Sequence, residues 1–473
     1  MKTRGSKKLL LAYYGDDFTG STDVMESLAR AGLRTVLFLR PPTPEQLAKF
    51  PGLRAFGIAG GSRTMSPARM QRELPPAFRA LKASGAAFIH YKTCSTFDSA
   101  PRVGSIGMAI ELGRRVFGQR LTPLVVGVPV LGRHVVFGNL FARSGLDTEP
   151  VRLDRHPAMS RHPVTPMDEA DIRLHLARQT KLPIKLVDVL KLAASASAGS
   201  ADPLLSVSSA KNDRLPPIVL FDTLGEADLP AIGRMIASQR PRGGQLFCAG
   251  SSGIEYALVA HWRAIGLLGR AVQPEQTAAF TRNQIVTVSG SCSPVTDRQI
   301  ARAARDGFVE IACDSARLAG CRTRSVGVMD AMSRARAALD AGRNVIFQTA
   351  RGPADARRAG FRRAAGDYRG ADAAAKLAAA GESLGRGLGR ILRDSLQQTG
   401  ARRAVVCGGD TATHIARELG IQALEFIAPV TPGAPLCRVH APGRVADGCE
   451  IIFKGGQVGR DSFFLNLLGG GTK

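Results

Sequence analysis

Leu9-Leu10-Leu11-Ala12-Tyr13-Tyr14-Gly15-Asp16-Asp17-Phe18-Thr19-Gly20-Ser21-Thr22-Asp23 decides how this chain is read. An apolar run stops at Gly15, two adjacent carboxylates follow, and Val24, Met25, Leu28 and Ala29 then recur at helical spacing. That pattern predicts a strand, a short loop and a capped helix. In open α/β sheets the crevice beyond the carboxyl ends of the strands gathers binding residues, and a helix N-terminus there offers free backbone N–H groups to an anion. Two carboxylates side by side repel each other unless a cation, a sugar hydroxyl or a cluster of donors lies against them. The plainer alternative is that one Asp caps the helix and the other is solvated.

Outward from this stretch, strands are expected over 34–39, 55–60, 87–91 and 123–130, with helices between them, including one over 103–117. Their ends carry Gly60-Gly61-Ser62-Arg63-Thr64, Lys92-Thr93-Cys94-Ser95-Thr96 and Leu131-Gly132-Arg133. Strands alternating with helices mean parallel βαβ units with right-handed crossovers, so these polar and basic ends are expected to converge. Further units follow at 182–189, 217–224 and 245–249, the last leading into Gly250-Ser251-Ser252-Gly253, a weak anion-loop signal. An Ala/Ser-rich stretch over 193–213 reads as a surface loop. His156 and His162, six apart in a Pro-punctuated segment, lack the spacing of a metal site and read as part of a structural or substrate-facing loop.

The pattern loosens over 272–283, which divides the chain into domains at 1–272 and 273–473. The second series has strands over 284–288, 344–349, 403–407 and 450–453 and a long Ala/Leu helix over 374–398. Three of its strands run into small-residue loops: Gly290-Ser291-Cys292-Ser293, Gly408-Gly409-Asp410-Thr411, and Lys454-Gly455-Gly456-Gln457-Val458-Gly459. Such loops let a phosphate chain approach backbone N–H groups, so a nucleotide is the expected guest. Neither a G-x-x-x-x-G-K-[ST] loop nor a G-x-G-x-x-G after a strand is present, and Gly385 to Gly389 reads as a helix-packing feature. The fold class expected is α/β, with two three-layer α/β/α domains, mainly parallel sheets and an interdomain cleft, an arrangement suited to phosphoryl transfer.

Composition narrows the function classes. Over 473 residues, 44% hydrophobic and 22% charged content belongs to a globular protein, and the length suits roughly two or three domains. Sixty-four Lys+Arg against thirty-nine Asp+Glu give a net charge of +25, a field that attracts phosphates, carboxylates or nucleic acid. Nucleic acid is set aside: there is no zinc-finger spacing, aromatics are only 5%, and the basic residues are spread along the chain apart from a denser stretch over 351–369. The eight cysteines contain no Cys-x-x-Cys pair, which suits a reducing compartment. No apolar run reaches the ~18 residues of a membrane span. A cytoplasmic protein with neither a membrane nor a nucleic-acid partner is expected.

Asp16-Asp17-Phe18-Thr19-Gly20, Ser62-Arg63, the Lys92 to Thr96 segment and the three glycine loops stand in the order seen in the four-carbon acid sugar kinases, and the chain resembles that family over nearly its whole length. The resemblance implies a sugar-acid-binding N-terminal domain, an ATP-binding C-terminal domain and phosphorylation of a hydroxyl on the acid. It implies that Asp16, Asp17, Thr19, Gly20, Ser62, Arg63 and Lys92 bind substrate, with Asp17 as the catalytic group that takes the proton. Arg63 would fork onto the substrate carboxylate, as a planar guanidinium can. Ser291, Gly408, Gly409, Asp410, Thr411, Gly455 and Gly456 would hold ATP, Asp410 alternatively serving a Mg²⁺ shell. No metal ligands are otherwise assigned, and a homodimer is compatible with such a kinase. One departure stands out: where the family carries Asp-Ser-Thr-Leu-Arg-Gly after the fourth strand, this chain has Cys94-Ser95-Thr96-Phe97-Asp98-Ser99. A changed substrate is therefore expected, such as a branched or oxo acid like 3-oxo-isoapionate; the other alternative is a non-catalytic acid- and nucleotide-binding protein.

Overall fold

The computed structural model describes residues 8–143, 148–162, 164–195, 215–269, 284–319, 326–364 and 373–468. They fall into two compact units, to either side of position 272/273. The boundary stretch over 272–283, most of the 193–213 loop and the end of the basic stretch over 351–369 lie outside the described residues.

The N-terminal unit runs β1 (Leu11–Gly15), α1 (Phe18–Arg30), β2 (Thr35–Phe38), α2 (Pro44–Ala48), β3 (Ala55–Ala59), α3 (Pro67–Ala83), β4 (Phe88–Lys92), α4 (Ile106–Phe117) and β5 (Thr122–Val125). A small antiparallel sheet follows, β6 (Arg133–Val136), β7 (Asn139–Ala142) and β8 (Val151–Arg152). The chain then continues through α5 (Ile172–Ala177), β9 (Ile184–Val187), α6 (Val189–Ser195), β10 (Ile218–Phe221), α7 (Leu229–Ser238), β11 (Leu246–Gly250) and α8 (Gly253–Ala264). Its main sheet has the order β2-β3-β1-β4-β11-β5-β10-β9, and its pairs are parallel. Every residue of β1, β3, β4 and β11 is buried, as strands covered by helices on both faces must be.

Strand order fixes where the site falls. From β1 the chain passes through α1 towards β2 on one side; from its neighbour β4 it passes through α4 towards β5 on the other. The carboxyl ends of β1 and β4 therefore flank a topological switch point, where α/β sheets open a crevice. The stretch over 123–130 is strand only to Val125; Pro129–Leu131 is a 3₁₀ turn, and Arg133 opens the small sheet instead of joining the other strand ends. The helix expected from 103 starts at Ile106, because the Ser105 hydroxyl caps it by accepting the Met108 N–H.

The C-terminal unit runs β12 (Val286–Ser289), α9 (Pro294–Arg305), β13 (Val309–Ala312), α10 (Ser315–Ala319), α11 (Val326–Asp340), β14 (Val345–Gln348), α12 (Arg357–Ala364), α13 (Ala373–Thr399), β15 (Arg403–Cys407), α14 (Gly409–Glu418), β16 (Ala423–Thr431), β17 (Ala434–His440) and β18 (Glu450–Lys454). Its sheet order is β13-β14-β12-β15-β18-β17-β16, parallel except for the β16–β17 hairpin and its pairing with β18. A second switch point lies between β12, which leads to β13, and β15, which is reached from β14 on the far side of β12. Gly385 and Gly389 are packing glycines: a Cβ on them would stand 2.7 Å from those of His414 and Glu418, so they let α13 lie close on α14.

Candidate functional site

At the switch point of the N-terminal unit, Asp17 caps α1, its Oδ1 accepting the Gly20 N–H at 2.8 Å while Oδ2 accepts the Thr19 hydroxyl at 2.9 Å. Asp16 is not the solvated partner of the plainer reading, since only 4% of it is exposed. Arg63, on the one-turn 3₁₀ helix after β3, reaches both carboxylates. Its Nη2 and Nε lie 3.1 and 3.4 Å from the two oxygens of Asp16, and its Nη1 lies 2.9 Å from Asp17 Oδ2. Nε and Nη2 donate to Asp16, while Nη1 pairs with Asp17 as an ion pair.

Backbone and aromatic packing hold that fork in place. The Arg63 N–H donates to the Asp16 carbonyl, and the Asp16 N–H to the Lys92 carbonyl. Beneath the turn, Tyr14 and Tyr91 stack at 6.1 Å, with Phe78 edge-on to both. The Ser62 hydroxyl is buried and lies 2.9 Å from the Tyr91 hydroxyl. Lys92, at the end of β4, is 3% exposed, and its Nζ lies 3.6 Å from Asp23 Oδ2. Asp23 carried no role in the sequence reading, although it stands three residues after Gly20 on the same face of α1.

Burial pushes the Asp16 carboxyl up to about 6, against the pull of Arg63 and with the charge of Asp17 adding to the push. Asp17 feels the same desolvation, but Arg63, Lys92, the Gly20 N–H and the Thr19 hydroxyl together hold it below the ordinary carboxylate range. For Lys92, burial is outweighed by Asp23 and Asp17, which raise it. Neighbouring carboxylates with separated titrations are suited to different roles.

The departing segment lies in the same electrostatic neighbourhood. Thr96 Oγ1 donates to Asp98 Oδ1 at 2.5 Å and lies 2.9 Å from Cys94 Sγ. Burial, then the charge of Asp98, pushes the Cys94 thiol up, so it is a neutral group. Phe97, fully buried, holds a left-handed φ of 55°. That costs on the order of 1–3 kcal/mol and persists only where the surroundings enforce it. Here the Phe97 ring meets His175 edge-on, and the Ser99 hydroxyl is 3.0 Å from His175 Nε2. Burial, aided by Arg178, pushes His175 down to about 4, so it stands neutral in this role.

In the C-terminal unit the three glycine loops leave neighbouring strands. Backbone bonds from Gly290 N to the Cys407 carbonyl and from Gly408 N to the Lys454 carbonyl fix them side by side. Gly408 adopts a φ of 127°, which L side chains rarely tolerate, just before α14. Thr411, in the first turn of α14, closes back on the Gly408 carbonyl. Asp410 also lies in that first turn. The Ser291 hydroxyl accepts the Ser293 N–H and donates to Thr296, which donates to the Gly456 carbonyl. Gly455 and Gly456 form the turn that leaves β18. This unit thus offers helix N-termini and backbone N–H groups, as a phosphate chain requires. Thr296 and Lys454 are the residues here to which the sequence reading gave no role.

Other residues singled out in the sequence bond within the chain. Ser251 donates to the Val126 carbonyl, tying the Gly-Ser-Ser-Gly turn to β5. His156 and His162 each accept backbone N–H groups within their own loop. Among the described residues no three His, Cys, Asp or Glu side chains are grouped to hold a metal ion, the cysteines are free, and no helix is long and apolar enough to cross a membrane.

Two family models match the chain. Residues 11–258 match a family described as a sugar-binding N-terminal domain, and residues 286–464 one described as a nucleotide-binding C-terminal domain. The chain is 46% identical to a 3-oxo-isoapionate kinase of Paraburkholderia graminis, covering 96% of this chain and 93% of that protein. It is 30% identical to a 3-oxo-tetronate kinase of Methylobacterium radiotolerans, covering 97% and 99%. In fold it is similar to the crystal structure of Haemophilus influenzae protein HI1011, with a TM-score of 0.68 at 22% identity over 97% of this chain and 99% of that one.

Proposed function

The chain belongs to the four-carbon acid sugar kinase family and is a phosphotransferase acting on a small sugar acid; from that premise we propose that its acceptor is a branched 3-oxo acid of the 3-oxo-isoapionate type and its donor ATP. The observation that carries the mechanism is the Asp16–Arg63–Asp17 bridge beside Lys92 at the switch point of the sugar-binding unit. Asp17 is the group to take the proton: it is ionised, and 23% of its side chain is open, against 5% for Asp16. Asp16 orients Arg63, whose planar guanidinium suits the substrate carboxylate or a hydroxyl next to it. Thr19 and Gly20 hold Asp17 in position, and Lys92 contributes positive charge where the phosphoryl group arrives.

Nucleotide binding is assigned to Ser291, Gly408, Gly409, Asp410, Thr411, Gly455 and Gly456. Magnesium enters as part of the nucleotide substrate, since Mg²⁺ bound by phosphates needs only one or two carboxylates. The altered 94–99 segment supports the branched acid over a linear one. Asp98 is an acceptor-only group when ionised and favours a substrate with an additional hydroxyl.

An ATP-consumption assay with 3-oxo-isoapionate and linear 3-oxo-tetronate tests the substrate. Preferred turnover of the branched acid is expected, and turnover of neither would sink the proposal. In the same assay Asp17→Asn is expected to abolish transfer while nucleotide still binds; full activity would remove Asp17 from the proton-accepting role.

A further inference from the structure

Lys454 ends β18 with its side chain fully buried, although long charged side chains are almost never buried unpaired. Its ammonium donates to Thr296 Oγ1 and to the Gly455 carbonyl, both at 3.1 Å, and stands 5.5 Å from the Phe463 ring centroid. Among the described residues no carboxylate pairs with it, and burial pushes its titration down. An unpaired buried ammonium costs folding free energy, so its retention directly behind a glycine turn calls for a reason.

The hydrogen bonds supply one. Thr296 accepts from Ser291 Oγ and Lys454 Nζ and uses its single proton on the Gly456 carbonyl, at 2.8 Å. The Gly455 carbonyl, which also accepts the Val458 N–H that closes the turn, and the Gly456 carbonyl are both turned inward. A trans peptide points its C=O and N–H in opposite directions, so the N–H groups of Gly456 and Gln457 are turned the other way, and neither donates to another group among the described residues. Successive free N–H groups form a concavity for an anion.

We infer that Lys454 is a positioning residue for the nucleotide: through Gly455 and Thr296 it presets the β18 turn so that the N–H groups of Gly456 and Gln457 face a phosphate, and its charge supports that anion from behind. The inference rests on the nucleotide reading of this unit. The full chain is tested by calorimetric titration with ADP and by both Michaelis constants, in the wild type, Lys454→Met, Lys454→Arg and Thr296→Val. Lys454→Met is expected to weaken ADP binding and raise the KM for ATP about tenfold, with the KM for the acid within about twofold. Its thermal midpoint should hold or rise, which loss of a merely structural residue would not give. Lys454→Arg should recover part of the affinity, and Thr296→Val should shift the same constant in the same direction. Unchanged ADP affinity in Lys454→Met, or equal increases in both Michaelis constants, overturns the inference; should that variant not fold, an unchanged KM for ATP in Thr296→Val does so. Absence of ADP binding by the wild type would overturn the nucleotide reading itself, and this inference with it.

Discussion

Arg63 Nη1 lies 2.9 Å from Asp17 Oδ2, while Nε and Nη2 of the same guanidinium lie on Asp16, so one side chain bridges both carboxylates of the sugar-binding unit. A compact ammonium cannot reproduce a planar fork of this kind. Arg63→Lys is therefore expected to behave like Arg63→Ala, raising the KM for the acid about tenfold or more while the KM for ATP moves by less than about twofold. Steady-state kinetics with each substrate varied in turn checks this, and equal increases would detach Arg63 from the acid.

Asp16 titrates near 6, so its bridge to Arg63 weakens below that pH, and kcat/KM for the acid should fall along an acidic limb centred there. The stability sign is opposite. A carboxyl raised above its ordinary value favours the folded protein below about 4, and that advantage is lost as the pH rises through about 6. Asp16→Asn should thus stabilise the protein at pH 8, by on the order of 2 kcal/mol, with no gain at pH 4, while losing activity. Denaturant unfolding at the two pH values decides; a variant destabilised at pH 8 would contradict the electrostatic account.

What was legible in the sequence follows from what is local. Asp17 as a cap, and the glycine loops after β12, β15 and β18, depend on residues within a few positions of one another. The Arg63 bridge spans 47 positions and exists only because β3 lies beside β1 in the sheet. The β16–β17 hairpin was missed because register shifts between Phe426 and Ala428 and between Ala428 and Thr431 break the two-residue alternation that marks a strand. Its Pro432-Gly433 turn was the available signal. β13 is four residues long and largely half-exposed, too short for a periodicity to register.

Asp98 is held by Thr96 in a segment fixed by the left-handed Phe97 and by Ser99 against His175. Asp98→Asn keeps the shape and removes the charge. It is expected to erase most of the preference between branched and linear 3-oxo acids, a change of about tenfold in the ratio of their kcat/KM values, with the KM for ATP unaffected. An unchanged ratio would show that the 94–99 segment does not select the substrate.

Gly456 faces Ser291 between the glycine loops, where a Cβ would stand 2.6 Å from Ser291 Oγ and 3.0 Å from the Ser293 Cβ. Neither neighbour can yield cheaply, since Ser291 is bonded to Thr296 and Ser293 caps α9. Gly456→Ala must therefore push the β18 turn away from the β12 loop or break the Ser291 bond, at a cost of about 1–3 kcal/mol of overpacking. Either response displaces the N–H groups assigned to phosphate. The KM for ATP should rise while the KM for the acid, bound in the other unit, stays within about twofold. Product-formation kinetics at saturating acid measures the first and at saturating ATP the second; a larger effect on the acid would mean that the two reactants have been assigned to the wrong units.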